Sequence, residues 1–104
     1  MKKLSQKIIL ILSITLLFAS CSKTPEACFT VDKLKTAKVN EEVQFNASCS
    51  EDADNYSWDF GDGNTSTGIT TKHKYPNAGD YTVKLTASNK KKSVTSSQTA
   101  TINP

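Results

Sequence analysis

The residues best suited to do chemistry lie in one short stretch, YSWDFGDGNTS, from Tyr56 to Ser66. Two of its residues, Asp59 and Asp62, are carboxylates three positions apart. Paired carboxylates catalyse glycoside hydrolysis when they face each other across the substrate, about 5 to 10 Å apart. Whether these two can do so depends on the elements that carry them.

Apolar and polar residues alternate with a period of two in several segments, and no segment after Cys21 keeps the spacing of an amphipathic helix. Strands are predicted over 27–31, 43–47, 56–60, 73–75, 81–87 and 94–102. Short strands separated by turn residues, without helices, predict an all-β protein built as an antiparallel sandwich of about seven strands.

Within this sandwich the WDFGDG segment is predicted to be a strand followed by a turn. Trp58 and Phe60 point into the core, so Asp59 between them points out. Tyr81, which follows a turn in GDYTV, is typical of a tyrosine corner.

Gly61 and Gly63 flank Asp62 in a tight reversal, where glycine can take a positive φ. The Asp62 carboxylate is then placed to accept N–H groups of its own turn. Carboxylates on a convex hairpin face no cleft, so we expect a structural turn with no catalytic residue.

The rest of the chain offers no other reactive constellation. His73 is the only histidine and has no set of Cys or His partners for zinc. No nucleophile–base pair, phosphate-binding loop or cofactor fingerprint is present. We therefore expect neither an enzyme nor a cofactor or metal site.

Together, these segments resemble the polycystic kidney disease (PKD) domain. Its WDFGDG core is intact at 58–63, and its downstream pattern is matched by His73, Tyr75, Gly79, Tyr81, Val83 and Leu85. The resemblance extends over about 25–102 and departs from many members at Asn40, where they have glycine. It implies an immunoglobulin-like sandwich, a structural role for His73, and contacts with proteins or carbohydrates.

The first twenty residues have the layout of a secretory signal peptide: a basic start, a short apolar run over 8–18, then small residues. The LFASC segment is similar to a bacterial lipobox, which implies acylation of Cys21. We expect a signal over 1–20, a lipidated tether over 21–26 and a domain over 27–104. Ser22 rather than aspartate after the cysteine favours the outer membrane over the inner one.

Cleavage also removes the net positive charge of the chain. Lys2, Lys3 and Lys7 leave with the signal, so ten lysines face ten acidic residues in the remaining chain. A balanced chain gives no field to attract nucleic acid.

The cysteines left after lipidation, Cys28 and Cys49, could bridge the first two strands in an oxidising compartment. A regular ladder that aligns the inward faces would point them to opposite sides. A bulge near Ser48 would bring them together, and we expect a disulfide.

Two charged segments are predicted to lie at one end of the sandwich. They are the acidic run 50–54 and the lysine triplet Lys90, Lys91 and Lys92, which occupy the second-to-third and last-hairpin connections. The acidic run could bind calcium, but it lacks the glycine and final glutamate of an EF-hand loop, which favours a solvated loop.

The tether starts at this end, so the lysines would lie near the membrane and could contact anionic head groups. The connections 33–42, 61–64 and 76–80 would face away.

These observations predict a non-catalytic cell-envelope lipoprotein whose single PKD domain makes protein–protein contacts, as an assembly subunit or adhesion-type module. The alternative is a carbohydrate-binding module at the cell surface. That alternative needs exposed aromatic platforms, whereas nearly all aromatics here fall on inward positions.

Overall fold

The structure, a computed structural model, describes residues 23–104. Eight strands form there: β1 Thr30–Val31, β2 Ala37–Lys38, β3 Val43–Asn46, β4 Asn55–Asp59, β5 Thr65–Thr67, β6 Thr70–His73, β7 Gly79–Ser88 and β8 Ser93–Asn103. Within this part of the chain, nothing forms a helix that could cross a membrane. The predicted signal peptide, Cys21 and Ser22 lie outside the described residues.

The strands form two sheets, one in the order β1-β3-β6 and one in the order β2-β8-β7-β4-β5. The predicted all-β sandwich is confirmed. One pair departs from the antiparallel expectation, because β2 runs parallel to β8, with Ala37 opposite Ile102. The reason is that β1 and β2 belong to one forward-running segment, which leaves the small sheet after Val31 and joins the large one.

The alternation of apolar and polar residues along the strands determines which side chains are buried between the two sheets. Trp58 and Phe60 are buried as expected, and the ring of Phe45 lies between them, 5.7 and 5.1 Å away. The Trp58 indole N–H donates to the carbonyl of Gly68 at 2.8 Å, so its one polar atom is satisfied inside the core. The other wholly buried hydrophobic side chains include Ala37, Val43, Ala47, Tyr75, Val83, Leu85, Ala87 and Ala100.

The two ends of the sandwich are built from different connections. The near end carries the acidic run 50–54 and the hairpin 89–92, and the chain enters there through the bridge between Glu26 and Glu51. The far end carries the β2–β3, β4–β5 and β6–β7 connections, and the N–H of Asn40 donates to the carbonyl of Tyr75 at 2.8 Å there. Asn40 has φ +61°, a left-handed conformation that asparagine tolerates better than most residues. The departure from glycine at this position is therefore accommodated.

Candidate functional site

The centre of the far end is a contact between Asp62, in the β4–β5 turn, and His73, the last residue of β6. Asp62 Oδ2 lies 2.7 Å from His73 Nε2, and the two side chains are only 10% and 14% exposed. Asp62 Oδ1 also accepts the N–H of Asn64 at 3.1 Å. The carboxylate thus caps its own turn and fastens that turn to the small sheet.

This environment changes the acidity of Asp62. Partial burial by itself raises the pKa of the carboxyl, but the hydrogen bonds from His73 and Asn64 favour the ionised form and outweigh it. The net result is that the pKa of Asp62 lies below its ordinary value of 3.8. Asp62 is therefore held as a carboxylate, which suits a structural anchor and not a proton donor.

Aromatic rings extend this contact into the core. The His73 ring stacks on Phe60 with centroids 4.2 Å apart and meets Tyr75 edge-on at 4.7 Å, and Tyr75 in turn stacks on Tyr81 at 4.3 Å. We call Phe60, Asp62, His73, Tyr75 and Tyr81 the far-end cluster. It ties the β4–β5 turn, β6, the following loop and β7 into one unit.

The two tyrosine hydroxyls hold loop carbonyls in place. Tyr75 donates to the carbonyl of Phe60 at 2.9 Å, and burial raises the pKa of its hydroxyl well above the ordinary value. Tyr81 donates to the carbonyl of Asn77 at 2.7 Å, which is the geometry expected of a tyrosine corner. Both bonds join a tyrosine hydroxyl to the backbone of a far-end connection.

Asp59 and Asp62 both form hydrogen bonds within the β4–β5 turn. Asp59 is exposed, and its Oδ1 accepts the N–H of Gly61 at 3.0 Å, so each carboxylate is used by its own turn. Gly61 and Gly63 have φ +85° and +94°. A Cβ on Gly61 would lie 2.6 Å from the carbonyl oxygen of Thr82, because the turn packs directly on β7.

The near end is closed by a covalent bond. Thr30 lies opposite Asn46 in the β1–β3 ladder, whereas Glu26 lies opposite Glu51, so the second segment has one more residue than the first. The extra residue falls in a turn, where the N–H of Ser50 donates to the carbonyl of Ala47 at 2.9 Å. The structure thereby joins Cys28 to Cys49, with Cα atoms 5.4 Å apart.

The lysine triplet and the acidic run lie at the same end, but they are not ion-paired. The Asn89 amide donates to the carbonyl of Asp52 at 3.0 Å, and its oxygen accepts the N–H groups of Lys91 and Lys92 at 2.9 and 3.0 Å. Among residues 23–104, no ion pair joins the lysines to the acidic run. That part of the chain also has no cluster of three metal-binding side chains.

A third feature is an open depression of about 510 Å³ at the corner of the large sheet. It is lined by Asp54, Asn55, Tyr56, Ser57, Thr67, Gly68, Ile69 and Ser88. Sequence reasoning missed it because β5 and the β5–β6 turn contain no apolar alternation. It also missed the contact between His73 and Asp62, which depends on how the two sheets stack. The spacing of His73 from Tyr75 indicated only that they share a side of the chain.

Part of the chain is similar in sequence to a bacterial collagenase. Collagenase ColA of Clostridium perfringens is 41% identical over 69 residues, which are 62% of this chain and 6% of the collagenase. The chain therefore spans less than a tenth of the length of this relative.

Two solved structures are similar over most of the chain. The PKD1 domain of the Vibrio cholerae metalloprotease PrtV is 31% identical with a TM-score of 0.65, covering 79% of this chain and 100% of that one. A structure from a study of carbohydrate-binding modules of the β-sandwich superfamily is 38% identical with a TM-score of 0.71, covering 78% of this chain and 35% of that one. A family model, that of the PKD domain, matches residues 22–104. The chain belongs to the PKD domain family.

Proposed function

We propose that this chain is a non-catalytic, lipid-anchored module of the bacterial envelope that binds a protein partner through its far end. The observation that carries the proposal is the far-end cluster, which holds the β4–β5 turn and the β6–β7 loop in one arrangement. Loops presented by a rigid scaffold are the usual place for recognition residues, and a surface ordered before binding loses less entropy on association.

The proposed lipid anchor supports an orientation in which the far end faces away from the membrane. Cys21 and Ser22 carry the proposed lipidation and sorting signals, and Glu26, four residues after Ser22, is fixed at the near end by N–H···O bonds of 2.9 and 3.1 Å with Glu51. Each extended residue reaches at most about 3.6 Å. A lipid on Cys21 would thus keep the near end close to the outer membrane and present the far end to partners.

The lysine triplet fits the same arrangement as a weak orienting element. Each lysine near an anionic surface contributes up to about 1 kcal/mol. Glu26, Glu51, Asp52 and Asp54 lie at the same end and offset that attraction. We therefore assign anchoring to the lipid, and only orientation to the lysines. Unchanged orientation of a variant with all three lysines replaced by glutamine, on anionic liposomes, would remove that role.

Site-specific photocrosslinking tests the proposal. A crosslinking amino acid replaces Asn77 at the far end in one variant of the full chain and Lys91 at the near end in a matched control. In the native envelope, we expect one stoichiometric protein adduct from position 77 and none of that species from position 91. Adducts of the same species from both positions, or from neither, would contradict a far-end interface. Loss of membrane association in Cys21→Ser tests the anchor separately.

A carbohydrate-binding module is the second candidate. It is favoured by the similarity to the structure from the study of β-sandwich carbohydrate-binding modules. Retention of the full chain on envelope polysaccharide, with no protein adduct from position 77, would support this candidate over the first.

A further inference from the structure

The corner depression combines a fixed apolar rim with polar walls. Ile69, on the rim, is 48% exposed and is the only large hydrophobic residue that is exposed in the range 23–104. Tyr56 also lines the depression, but its half-buried side chain packs against the hydrophobic core. The depression thus offers one exposed apolar side chain among polar ones, and its volume of about 510 Å³ lies within the usual range of about 300 to 1,000 Å³ for a small-molecule site.

Ile69 is exposed although its backbone is firmly held. The carbonyl of Ile69 accepts the N–H of Ala47 at 2.8 Å, and the N–H of Gly68 donates to the carbonyl of Tyr56 at 3.1 Å. The carbonyl of Gly68 accepts the indole N–H of Trp58 at 2.8 Å. The backbone of this turn is held in place, yet the Ile69 side chain faces solvent. Its exposure therefore does not come from a loose turn.

The walls carry neutral hydrogen-bonding groups on a stable frame. Ser57 lies opposite Thr67 in the β4–β5 ladder, and Asn55 lies opposite Ser88 in the β4–β7 ladder. The serine and threonine residues of the lining thus offer three hydroxyls, and Asn55 offers one carboxamide; these groups can both donate and accept hydrogen bonds. The only charged residue on the lining is Asp54, whose carboxylate accepts hydrogen bonds and repels anionic ligands.

We infer that this depression is a binding site for one unit of a neutral saccharide. A pyranose ring presents C–H groups on one face, which suit Ile69, and hydroxyls around its rim, which suit the polar walls. The inference rests on the second candidate function for its class of ligand. It is independent of the far-end interface, since the depression lies at the other end of β4 from the β4–β5 turn.

Binding of defined oligosaccharides to the full chain in detergent micelles tests the inference. The probes are neutral tetrasaccharides of glucose and N-acetylglucosamine with different linkages, and tetragalacturonate serves as the anionic counterpart. Calorimetry gives the Kd for each. We expect saturable binding of at least one neutral probe at millimolar concentration or below, and none of tetragalacturonate.

Three variants locate the site. Ile69→Ser removes the apolar rim and should raise the Kd by about tenfold, and Thr67→Ala removes one wall hydroxyl and should raise it about two- to tenfold. The matched control is Thr65→Ala, which changes the same residue type in the same strand, also exposed but outside the lining. It should leave the Kd within about twofold. Equal thermal midpoints establish that the variants are folded.

Three results would overturn the inference: no saturable binding of any neutral probe, binding unaffected by Ile69→Ser and Thr67→Ala, or a Thr65→Ala effect as large as that of Thr67→Ala. None of these results bears on the photocrosslinked adduct from position 77. Calorimetry therefore tests the saccharide site, and photocrosslinking tests the protein interface separately. Saccharide binding that these variants leave intact would retain the second candidate function and place its site elsewhere.

Discussion

The two ends of the sandwich are stabilised by different kinds of interaction. The near end is held by the Cys28–Cys49 disulfide and by backbone hydrogen bonds such as those between Glu26 and Glu51. The far end is held instead by side chains, with His73 stacked on Phe60 and hydrogen-bonded to Asp62. The near end should therefore respond to reductant and the far end to substitution of single side chains and to pH.

The contrast follows from what each end can bury. The near-end connections 50–54 and 89–92 are charged and polar, and the disulfide beside them adds a covalent link. The far end places rings of Phe60, Tyr75 and Tyr81 beneath its loops, so packing can order those loops.

The largest effect should come from removing the disulfide. The bridge spans a separation of 21 residues, and a loop of this size stabilises the folded state by about 3 kcal/mol through the entropy of the unfolded chain. We expect the double variant Cys28→Ser, Cys49→Ser to lose that amount in urea unfolding. Wild-type protein with excess reductant should show the same midpoint. Full reduction that leaves the midpoint unchanged would show that the near end does not depend on the bond.

Next in size is a comparison within the far-end turn. Gly61→Ala places a Cβ against the backbone of Thr82 and should cost about 2 to 3 kcal/mol through overpacking and strain. Gly63→Ala meets no atom within 4 Å and should cost about 1 kcal/mol, from its positive φ alone. Equal losses in urea unfolding would mean that the close packing of the turn on β7 is not what stabilises it.

The tyrosine hydroxyls provide a finer comparison. Tyr75→Phe leaves the buried carbonyl of Phe60 without its donor and should cost about 1 to 2 kcal/mol, whereas Tyr81→Phe releases an exposed bond and should cost less than about 1 kcal/mol. Urea unfolding of the two single variants measures both. A larger loss for Tyr81→Phe would indicate that the loop, and not the buried ring, organises the far end.

The smallest effect should be the response to acid, because it involves the titration of one carboxyl group, that of Asp62. The pKa of Asp62 is lower in the folded state than its ordinary value of 3.8. Its stabilising effect is therefore complete above pH 3.8 and is lost as the pH falls through the lower folded value. The free energy difference between wild type and Asp62→Asn, from urea unfolding at several pH values, should shrink below that pH. A constant difference down to pH 2 would contradict this.

Much of the fold was predictable from local patterns. The alternation in β7 and β8 predicted their inward faces, and their ends to within two residues. Gly61 and Gly63 indicated a turn. The alternation could not indicate β2, which is two residues long, or β5, whose residues are all serine or threonine. Such elements exist because their neighbours offer free backbone groups, which a single segment of sequence does not reveal.

In the candidate site, too, local contacts could be predicted from the sequence and contacts between the sheets could not. The bond from Asn64 to Asp62 is local and follows from the turn sequence, whereas the contact of Asp62 with His73 requires the packing of one sheet on the other. The juxtaposition of the lysine triplet and the acidic run could be inferred from topology. Their failure to pair could not, because an exposed ion pair gains little over free solvated side chains and Asn89 already holds the two segments together.

The parallel pairing of β2 with β8 has a mechanical consequence. The chain enters at the near end, while β8 finishes at the far end, beside Ala37 and Lys38. Tension applied between Lys23 and Pro104 would pull these two strands in opposite directions along their length. Their hydrogen bonds would then bear the load together in shear and would not open one after another. In this geometry, the domain transmits a pull along its long axis without first losing the strands that frame its far end.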